Sequence, residues 1–495
     1  MARAVVVGAG VGGLAAAARL AALRHDVTVL EATETVGGKV GRFEERTPSG
    51  TFRFDTGASL LTMPDVFAEL FADTGDPLDS VVKLRSVDPF VRYRFRDGTV
   101  LSTTRNLDEQ ADRFDRAFGV GAGRAWAGLM ARGSRIWDAV EIPLFAQSLT
   151  GRALVRRLAR AGDLGAVGPG RSLRHIANRA FEDPRPRVLL ERYATYVGSD
   201  PRRAPAALTV IPYLEHAFGA WYVEGGVHQL AEALADRVRE RGGVIRTGAQ
   251  VAQITATGGR VADVRLVDGA QLPADIVVAN ADASTVYRNL LRPARRLSPP
   301  ADSLSAFVLL LGVRGRTPGL AHHNVLFGGD DYDAEFDAVF GRPGRPVTDP
   351  AVYISAPDDS AICPPEHEAW FVLVNAPRHG TDGSRGALDW DSPGLASGYE
   401  GRVLSLLAAR GVPVRERLLF SKVLTPADLQ RRTGAPGGAI YGPALHGLRS
   451  SVRRPANASK VRGLYLVGGS TQPGGGLPLV ALSAKIVANL IGPAR

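Results

Sequence analysis

An α/β fold, its parallel sheet assembled from discontinuous pieces of chain, is what this 495-residue sequence predicts. Three observations predict it. The chain opens with strand, glycine turn, helix and strand in immediate succession. It closes with another strand, glycine turn and helix, and helical and strand-like runs fill the space between. At this length a single core has stopped growing, so more than one structural unit is expected.

The opening unit comes first. "RAVVV" (residues 3–7) is a short apolar run of buried-strand type, "GAGVGG" follows directly, and "LAAAARLAALR" has helical propensity and spacing. "HDVTVLE" then reads as a second strand ending in Glu31. Gly8, Gly10 and Gly13 fit G-x-G-x-x-G, with Gly12 between them. Gly8 makes the tight turn, Gly10 lets a pyrophosphate approach the backbone, and Gly13 lets helix and strand pack closely. Glu31 is placed to take a ribose hydroxyl, and an acid there favours NAD or FAD over NADP. Strand, turn, helix, strand and acid in register define a Rossmann-type unit.

The next stretch separates NAD from FAD. "EATETVGGKVGRFEERTPSGTFRFDTGASLLTMP" carries a second glycine pair, Gly37 and Gly38, the cations Lys39 and Arg42, then Asp55, Gly57, Ala58 and Ser59. An NAD half-domain would continue to another helix here. A loop of glycine and basic residues suits a longer cofactor stretched beneath the chain, which favours FAD. At the far end, "GGSTQPGGGLPLVALSA" (residues 468–484) is a second glycine-rich turn, with Gly468, Gly469 and Gly476 ahead of a helix opened by Leu477 and Pro478. Glycine turns that open helices bring anions close to free backbone N–H groups.

Composition narrows the partners. The net charge is +10, from 60 basic and 50 acidic residues, and lysine is confined to positions 39, 83, 422, 460 and 485. No RRM, zinc-finger or helix-turn-helix signature accompanies the charge, so nucleic acid is not the expected partner; an acidic membrane face is compatible with it. No uninterrupted apolar run reaches the length of about 18 residues that a membrane span needs. "MARAVVVGAG" turns glycine-rich too early for a secretory signal. A single cysteine, Cys363, excludes an internal disulfide and points to a reducing compartment, the cytoplasm.

"EATETVGGKVGR" followed by "FDTGASLLTMP" resembles the flavin-dependent amine oxidase and phytoene desaturase superfamily. "WYVEGGVHQLAEALADRVRERGGVIRTGAQVAQI" (221–254), "VVANADAS" (277–284) and "AIYGPALHG" (439–447) are similar to further landmarks of the desaturase branch. The resemblance spans nearly the whole chain. It implies a discontinuous, GR2-like FAD-binding domain from residues 1–70, 215–300 and 455–495, with Val251 beside the adenine half. It also implies that the terminal glycine turn returns to the flavin, where a helix N-terminus stabilises negative charge on the reduced ring. Many phytoene desaturases have His where this chain has Gln472, so no catalytic side chain is assigned there.

Two inserts complete the expected organisation. Residues 71–214 hold "AWAGLMARGSRIWDAVEIPLFAQSLTGRALVRRLARAGDLGAV", helix-rich with aromatic and aliphatic residues among arginines. With the resemblance, this is read as a helical surface that rests peripherally on a bacterial membrane and admits a lipophilic substrate. Residues 301–454 include "SAFVLLLGV", "AVYISAP" and "AWFVLVNAP", read as strands of an α+β, substrate-covering domain. His322 and His323 are adjacent and expected to face opposite ways, one structural and one at the surface, so no metal site is predicted. Cys363 is read as structural.

The resemblance is closest to enzymes that introduce a 3,4 double bond into acyclic carotenoids with a 1-hydroxy or 1-methoxy end, on "LAHHNVLFGGDDYDAEFDAVF" and "AVYISAPDDSAICPPEHEAWFVLVNAPRHG". It implies hydride transfer from a polyene to FAD, with quinone or oxygen as final electron acceptor. No side chain declares itself as the base. Competing readings within the same fold are a carotenoid ketolase or isomerase and an amine oxidase. A non-catalytic prenyl-binding protein is disfavoured by the intact Gly8, Gly10, Gly13 and Glu31 set.

Overall fold

The computed structural model describes residues 1–146, 164–292, 303–329, 331–447, 450 and 454–494, with side chains left undescribed at 141–146 and 164. Five parallel strands form its first sheet, in the spatial order Leu464–Leu466, Ile276–Ala279, Arg3–Val7, Asp26–Leu30 and Val244–Arg246. Four of these strands were legible as apolar runs, because a strand buried on both faces has no polar alternation to dilute the signal. "GGVIRTG" supplies the edge strand.

One face of this sheet is covered by the helices Val11–Ala22, His228–Glu240 and Leu477–Ile491. Ala15, Ala16, Ala17 and Ala18 in the first and Ala481 and Ala484 in the last are buried, and small side chains let the helices approach closely. The other face is closed by a four-stranded sheet that includes Val251–Thr257 and Arg260–Leu266, through Ile254 and Val264 packed with Val5, Val7 and Val277.

Strand order decides what comes together. Arg3–Val7, Ile276–Ala279 and Leu464–Leu466 lie side by side and run the same way, so their carboxyl ends share one edge. The residues that follow them, Gly8, Asn280 and the turn containing Gly468, must therefore be neighbours. Ligands of open parallel sheets bind in the crevice outside such an edge.

A second, seven-stranded sheet runs Leu418–Leu424, Ser305–Arg314, His367–Ala376, Val352–Ser355, His323–Leu326, Arg92–Arg94 and Val100–Ser102. All its pairings are antiparallel except the one between His323–Leu326 and Arg92–Arg94. Those last two strands come from within residues 71–214, which otherwise contribute helices such as Leu107–Phe118, Ala122–Ala146, Pro184–Arg192 and Val210–Phe218. The helices close over a separate core in which Phe114 stacks on Trp126 at 4.5 Å. The continuation of "AWAGLMARG…" through residues 147–163, where a membrane contact was expected, lies outside the described residues. Among the described residues no helix is long and apolar enough to cross a membrane.

Candidate flavin and substrate site

Gly8 (φ +98°) turns the chain sharply, and its N–H donates to the Leu30 carbonyl at 2.7 Å. The helix Val11–Ala22 then starts at Gly10 with no side-chain cap, leaving its first N–H groups free for an anion. A Cβ on Gly13 would fall 2.1 Å from the Gly8 carbonyl oxygen, so helix and strand are packed to backbone contact there. Gly10 bridges Gly37, and a Cβ on Gly38 would lie 3.2 Å from the Gly10 Cα. The second glycine pair is thus packed on the first turn. Glu31 accepts from the Ala9 N–H at 2.7 Å and from the Thr33 N–H and hydroxyl at 3.0 and 2.9 Å. It fixes the turn locally, and its carboxylate has lone pairs left for a ribose hydroxyl. Val251 packs with Val7 and Leu30, and nearby the Ala249 N–H donates to the Glu31 carbonyl at 2.7 Å.

The terminal turn meets the first. A Cβ on Gly12 would be 3.3 Å from the Gly468 Cα. Between them stands Asn280: a Cβ added at either Gly12 or Gly468 would lie 2.8 Å from its side chain, and one added at Gly10 would lie 2.7 Å from it. Asn280 belongs to the "VVANAD" landmark, but nothing in its local sequence marks it as the wedge between the two turns. A Cβ on Gly469 would approach the Gly475 Cα at 3.3 Å, so the terminal turn folds back on itself. The helix Leu477–Ile491 follows, capped by Gly476 (φ +117°) with no side-chain cap, and Pro478 sits in its first turn, where a missing N–H costs nothing. Gly476 is exposed and Leu477 and Pro478 are buried.

Buried cations ring this edge. Lys39 donates to the Ala439 and Ile440 carbonyls at 2.9 and 2.5 Å. Burial lowers its pKa to about 8, Asp282 working against the shift and Arg454 with it. Its side chain nonetheless keeps accessible surface, as do Ala58 and Gly476. Arg454 donates to the Tyr441 and Pro443 carbonyls at 3.3 and 3.1 Å and also to that of Gly469, and burial lowers it to about 10. Among the described residues neither Lys39 nor Arg454 has a carboxylate within salt-bridge distance. Desolvated cations held only by carbonyl dipoles are costly unless an anion joins them. With glycine cradles on either side, the donor set fits the diphosphate of a flavin dinucleotide.

The rest of the first flavin loop is tied from behind. Asp55 accepts from the Val227 and His228 N–H groups at 2.8 and 3.0 Å, capping the helix His228–Glu240 from a distant strand. Burial raises its carboxyl to about 6 against the pull of those two bonds. A Cβ on Gly57 would lie 1.9 Å from the Lys39 carbonyl oxygen, so only glycine lets the two loops touch. Arg42 is exposed and pairs with Glu44 at 3.2 Å, outside the ring of buried cations. The Ser59 hydroxyl meets the Tyr353 hydroxyl at 2.7 Å, linking the loop to the seven-stranded sheet.

The two histidines depart from expectation. His323 is fully buried and its Nδ1 meets the Tyr353 hydroxyl at 2.8 Å, while His322 is partly covered and packs edge-on against Tyr222 at 4.7 Å. Their rings lie 4.4 Å apart. His322 precedes the strand His323–Leu326, so alternation along a strand does not apply to the pair. Cys363 is buried, its thiol against the His367 carbonyl at 3.3 Å. Sequence reasoning missed Arg192, Tyr196, Glu215 and Tyr353, which meet behind Ser59 from three separate segments.

A parallel sheet with a glycine turn at the carboxyl ends of two strands that flank a third, ringed by unneutralised cations, defines a dinucleotide-binding oxidoreductase scaffold. Residues 11–308 match the family described as flavin containing amine oxidoreductase. The chain belongs to that family, and it is an oxidoreductase whose cofactor is FAD. It is 34% identical over 499 residues to 4,4'-diapolycopene oxygenase of Methylomonas sp, covering 99% of this chain and 98% of that one. It is 34% identical over 501 residues to hydroxyneurosporene desaturase of Rubrivivax gelatinosus, covering 99% and 93%. The same fold is seen in the crystal structure of an oxidoreductase from Methanosarcina mazei, with a TM-score of 0.62 at 18% identity, covering 98% of this chain and 100% of that one.

Proposed function

We propose that this protein is an FAD-dependent desaturase of an acyclic carotenoid, with phytoene, neurosporene and their 1-hydroxy derivatives as the substrate class. The observation that carries the reading is end-to-end likeness to a hydroxyneurosporene desaturase. Desaturation removes a hydride and a proton from adjacent carbons of a single bond flanked by alkenes. Bound FAD supplies the hydride acceptor. The positive charge left on the substrate is delocalised along the polyene, so a weak base suffices for the proton.

The roles of the chain's own residues follow. Gly8, Gly10, Gly12 and Gly13 with the helix N-terminus hold the diphosphate, Glu31 the ribose, and Val251 flanks the adenine. Gly37, Gly38 and Lys39 close over the middle of the cofactor, with Arg42 at the rim. Gly57, Ala58 and Ser59 on one side and Gly468, Gly469, Gly476, Leu477 and Pro478 on the other enclose the ring. Leu60, Val197, Ile211 and Leu445 keep accessible surface beside the helical core and offer an apolar wall to the polyene; each buried CH2 contributes about 0.8 kcal/mol. Holding the reacting bond against the ring then carries much of the catalysis.

In this reading, residues 1–70, 215–300 and 455–495 form the FAD-binding domain. Residues 301–454 cover the substrate, and 71–214 rest on a bacterial membrane from the cytoplasmic side, where quinone or oxygen accepts the electrons. One observation favours a second reading, a carotenoid oxygenase: the 34% identity to 4,4'-diapolycopene oxygenase. The test is incubation of purified, FAD-loaded protein with liposomes carrying phytoene, neurosporene, lycopene or a 1-hydroxy acyclic carotenoid, with products resolved by chromatography and mass spectrometry. Loss of two hydrogens supports the desaturase, gain of oxygen the oxygenase. No product from any polyene sinks both.

A further inference from the structure

Behind Ser59 lies a polar group that the flavin reading does not use. Arg192 ends the helix Pro184–Arg192 and lies over the rings of Tyr196 and Tyr353, 5.1 and 5.9 Å from their centroids. Of its five N–H donors, one bond is described, from Nη1 to the Tyr196 hydroxyl at 3.0 Å. Among the described residues no carboxylate comes within salt-bridge distance of it. Glu215, a buried acid of this group, accepts from the Tyr193 hydroxyl at 2.6 Å.

Burial raises the hydroxyls of Tyr196, Tyr332 and Tyr353, while at Arg192 the surrounding tyrosines outweigh the burial that would lower its guanidinium. Yet each keeps accessible surface. Leu60, Val197 and Ile211, which offer the apolar wall, are partly covered in the same core. Two further polar atoms nearby are buried with no hydrogen-bond partner, the Tyr332 hydroxyl and His323 Nε2. Both feel the charge of Arg192.

We infer that Arg192, seated on Tyr196 and Tyr353, is the polar terminus of the substrate channel and donates to an oxygen on the end of the polyene. The inference rests on the proposed carotenoid reading and deepens it: the preferred substrate carries a hydroxyl or ether at its terminus. An all-hydrocarbon ligand gives a cation with idle donors nothing, whereas an acceptor oxygen uses them. The location agrees with the chemistry. A terminal oxygen lies only a few bonds, roughly 5 Å, from the third and fourth carbons. Arg192 is one aromatic ring from Ser59, through Tyr353, whose hydroxyl is 2.7 Å from that of Ser59. A guanidinium also sits badly beside a developing carbocation, which places it at the end of the chain and not at the reacting bond.

The test compares 1-hydroxyneurosporene with neurosporene in liposomes, using FAD-loaded wild type, Arg192→Met and Arg192→Lys. Wild type is expected to prefer the hydroxylated polyene. Arg192→Met should lower kcat/KM for it about 10- to 100-fold, the worth of a charged hydrogen bond. On neurosporene the same variant should lose less than about threefold, and Arg192→Lys should regain part of the preference. Equal losses on both substrates with FAD retained, or wild-type preference for neurosporene, overturns the inference. Binding of the two polyenes, followed by quenching of tryptophan fluorescence, separates this inference from the functional reading. If wild type desaturates neither but binds the hydroxylated polyene more tightly through Arg192, the functional reading fails and the end-group site stands. Equal affinities in wild type and Arg192→Lys defeat the site even where Arg192→Met does not fold.

Discussion

Gly13→Ala and Gly12→Ala differ by one position and one methyl group, yet the structure assigns them different outcomes. Both lie in the body of the helix Val11–Ala22, where alanine is favoured over glycine by about 1 kcal/mol. At Gly13 the new Cβ would be 2.1 Å from the Gly8 carbonyl oxygen. Relief requires a displacement of about 1 Å or more, since carbon and oxygen rest well above 3 Å. Gly8 cannot give way, because it is held at φ +98° with its N–H on Leu30. Helix and strand must part, at about 2–3 kcal/mol net of the helical gain. At Gly12 the closest atom is Asn280 Oδ1 at 2.8 Å, the end of a side chain, followed by the Gly468 Cα at 3.3 Å. Shifts of a few tenths of an ångström suffice, so the flavin-free protein should keep its stability to within about 1 kcal/mol. The two glycine turns are nevertheless levered apart, and FAD affinity should fall about three- to tenfold. Denaturant unfolding of flavin-stripped protein and fluorescence titration with FAD read the two effects separately. A Gly13→Ala protein as stable as wild type, or a Gly12→Ala protein that binds FAD like wild type, would refute the reasoning.

Three further outcomes follow from other parts of the molecule. Glu215 is buried and its carboxyl is raised to about 7 from an ordinary 4.5, first by desolvation. The folded state holds that proton more tightly, so its stabilising effect is full below pH 4.5 and is lost as pH rises through 7, by up to about 3 kcal/mol. Glu215→Gln should flatten urea stability between pH 5.5 and 8.5; parallel profiles for variant and wild type would contradict this. Arg237, 1% exposed, donates to the Phe71 and Asp76 carbonyls at 3.0 and 2.9 Å. Arg237→Met should cost about 2–4 kcal/mol of stability without lowering the FAD content of folded protein, checked by unfolding and flavin absorbance. Lys39→Met removes an accessible cation held only by carbonyls, and should weaken FAD binding about tenfold with a shallower salt dependence in the same titration.

What the sequence showed and what it hid divide along physical lines. The strand, turn and helix at each end were legible because each is a local pattern: β-branched residues, then glycines, then alanines. Gly8, Gly10, Gly13 and Glu31 could be read because their spacing is set by one turn of chain. That the two ends meet could be anticipated only through resemblance, since contact between Gly12 and Gly468 depends on strand order and no local pattern encodes strand order. Asn280 was hidden for the same reason: it is ordinary in its own segment and becomes a wedge only because its strand lies between the other two. The histidines were misplaced by a local rule, strand alternation, applied one residue beyond the strand to which it belongs.

The region behind Ser59 shows the same division most fully. Ser59, Arg192, Glu215, His323 and Tyr353 come from a flavin loop, two helices and two strands of the second sheet. No pair of them is spaced for a motif, and alone each reads as an ordinary buried polar residue. Assembled, they place the idle donors of Arg192 beside an otherwise apolar wall. Burial of such groups is tolerated when a ligand completes them. The flavin site is written in glycines because a cofactor shared across a family needs the same backbone approach every time. Discrimination between polyenes needs only one or two side chains at the far end of a channel, and these can change without disturbing the sheet. Substrate choice in this scaffold is therefore a matter of a few long-range side-chain contacts. Arg192 is where the structure concentrates them.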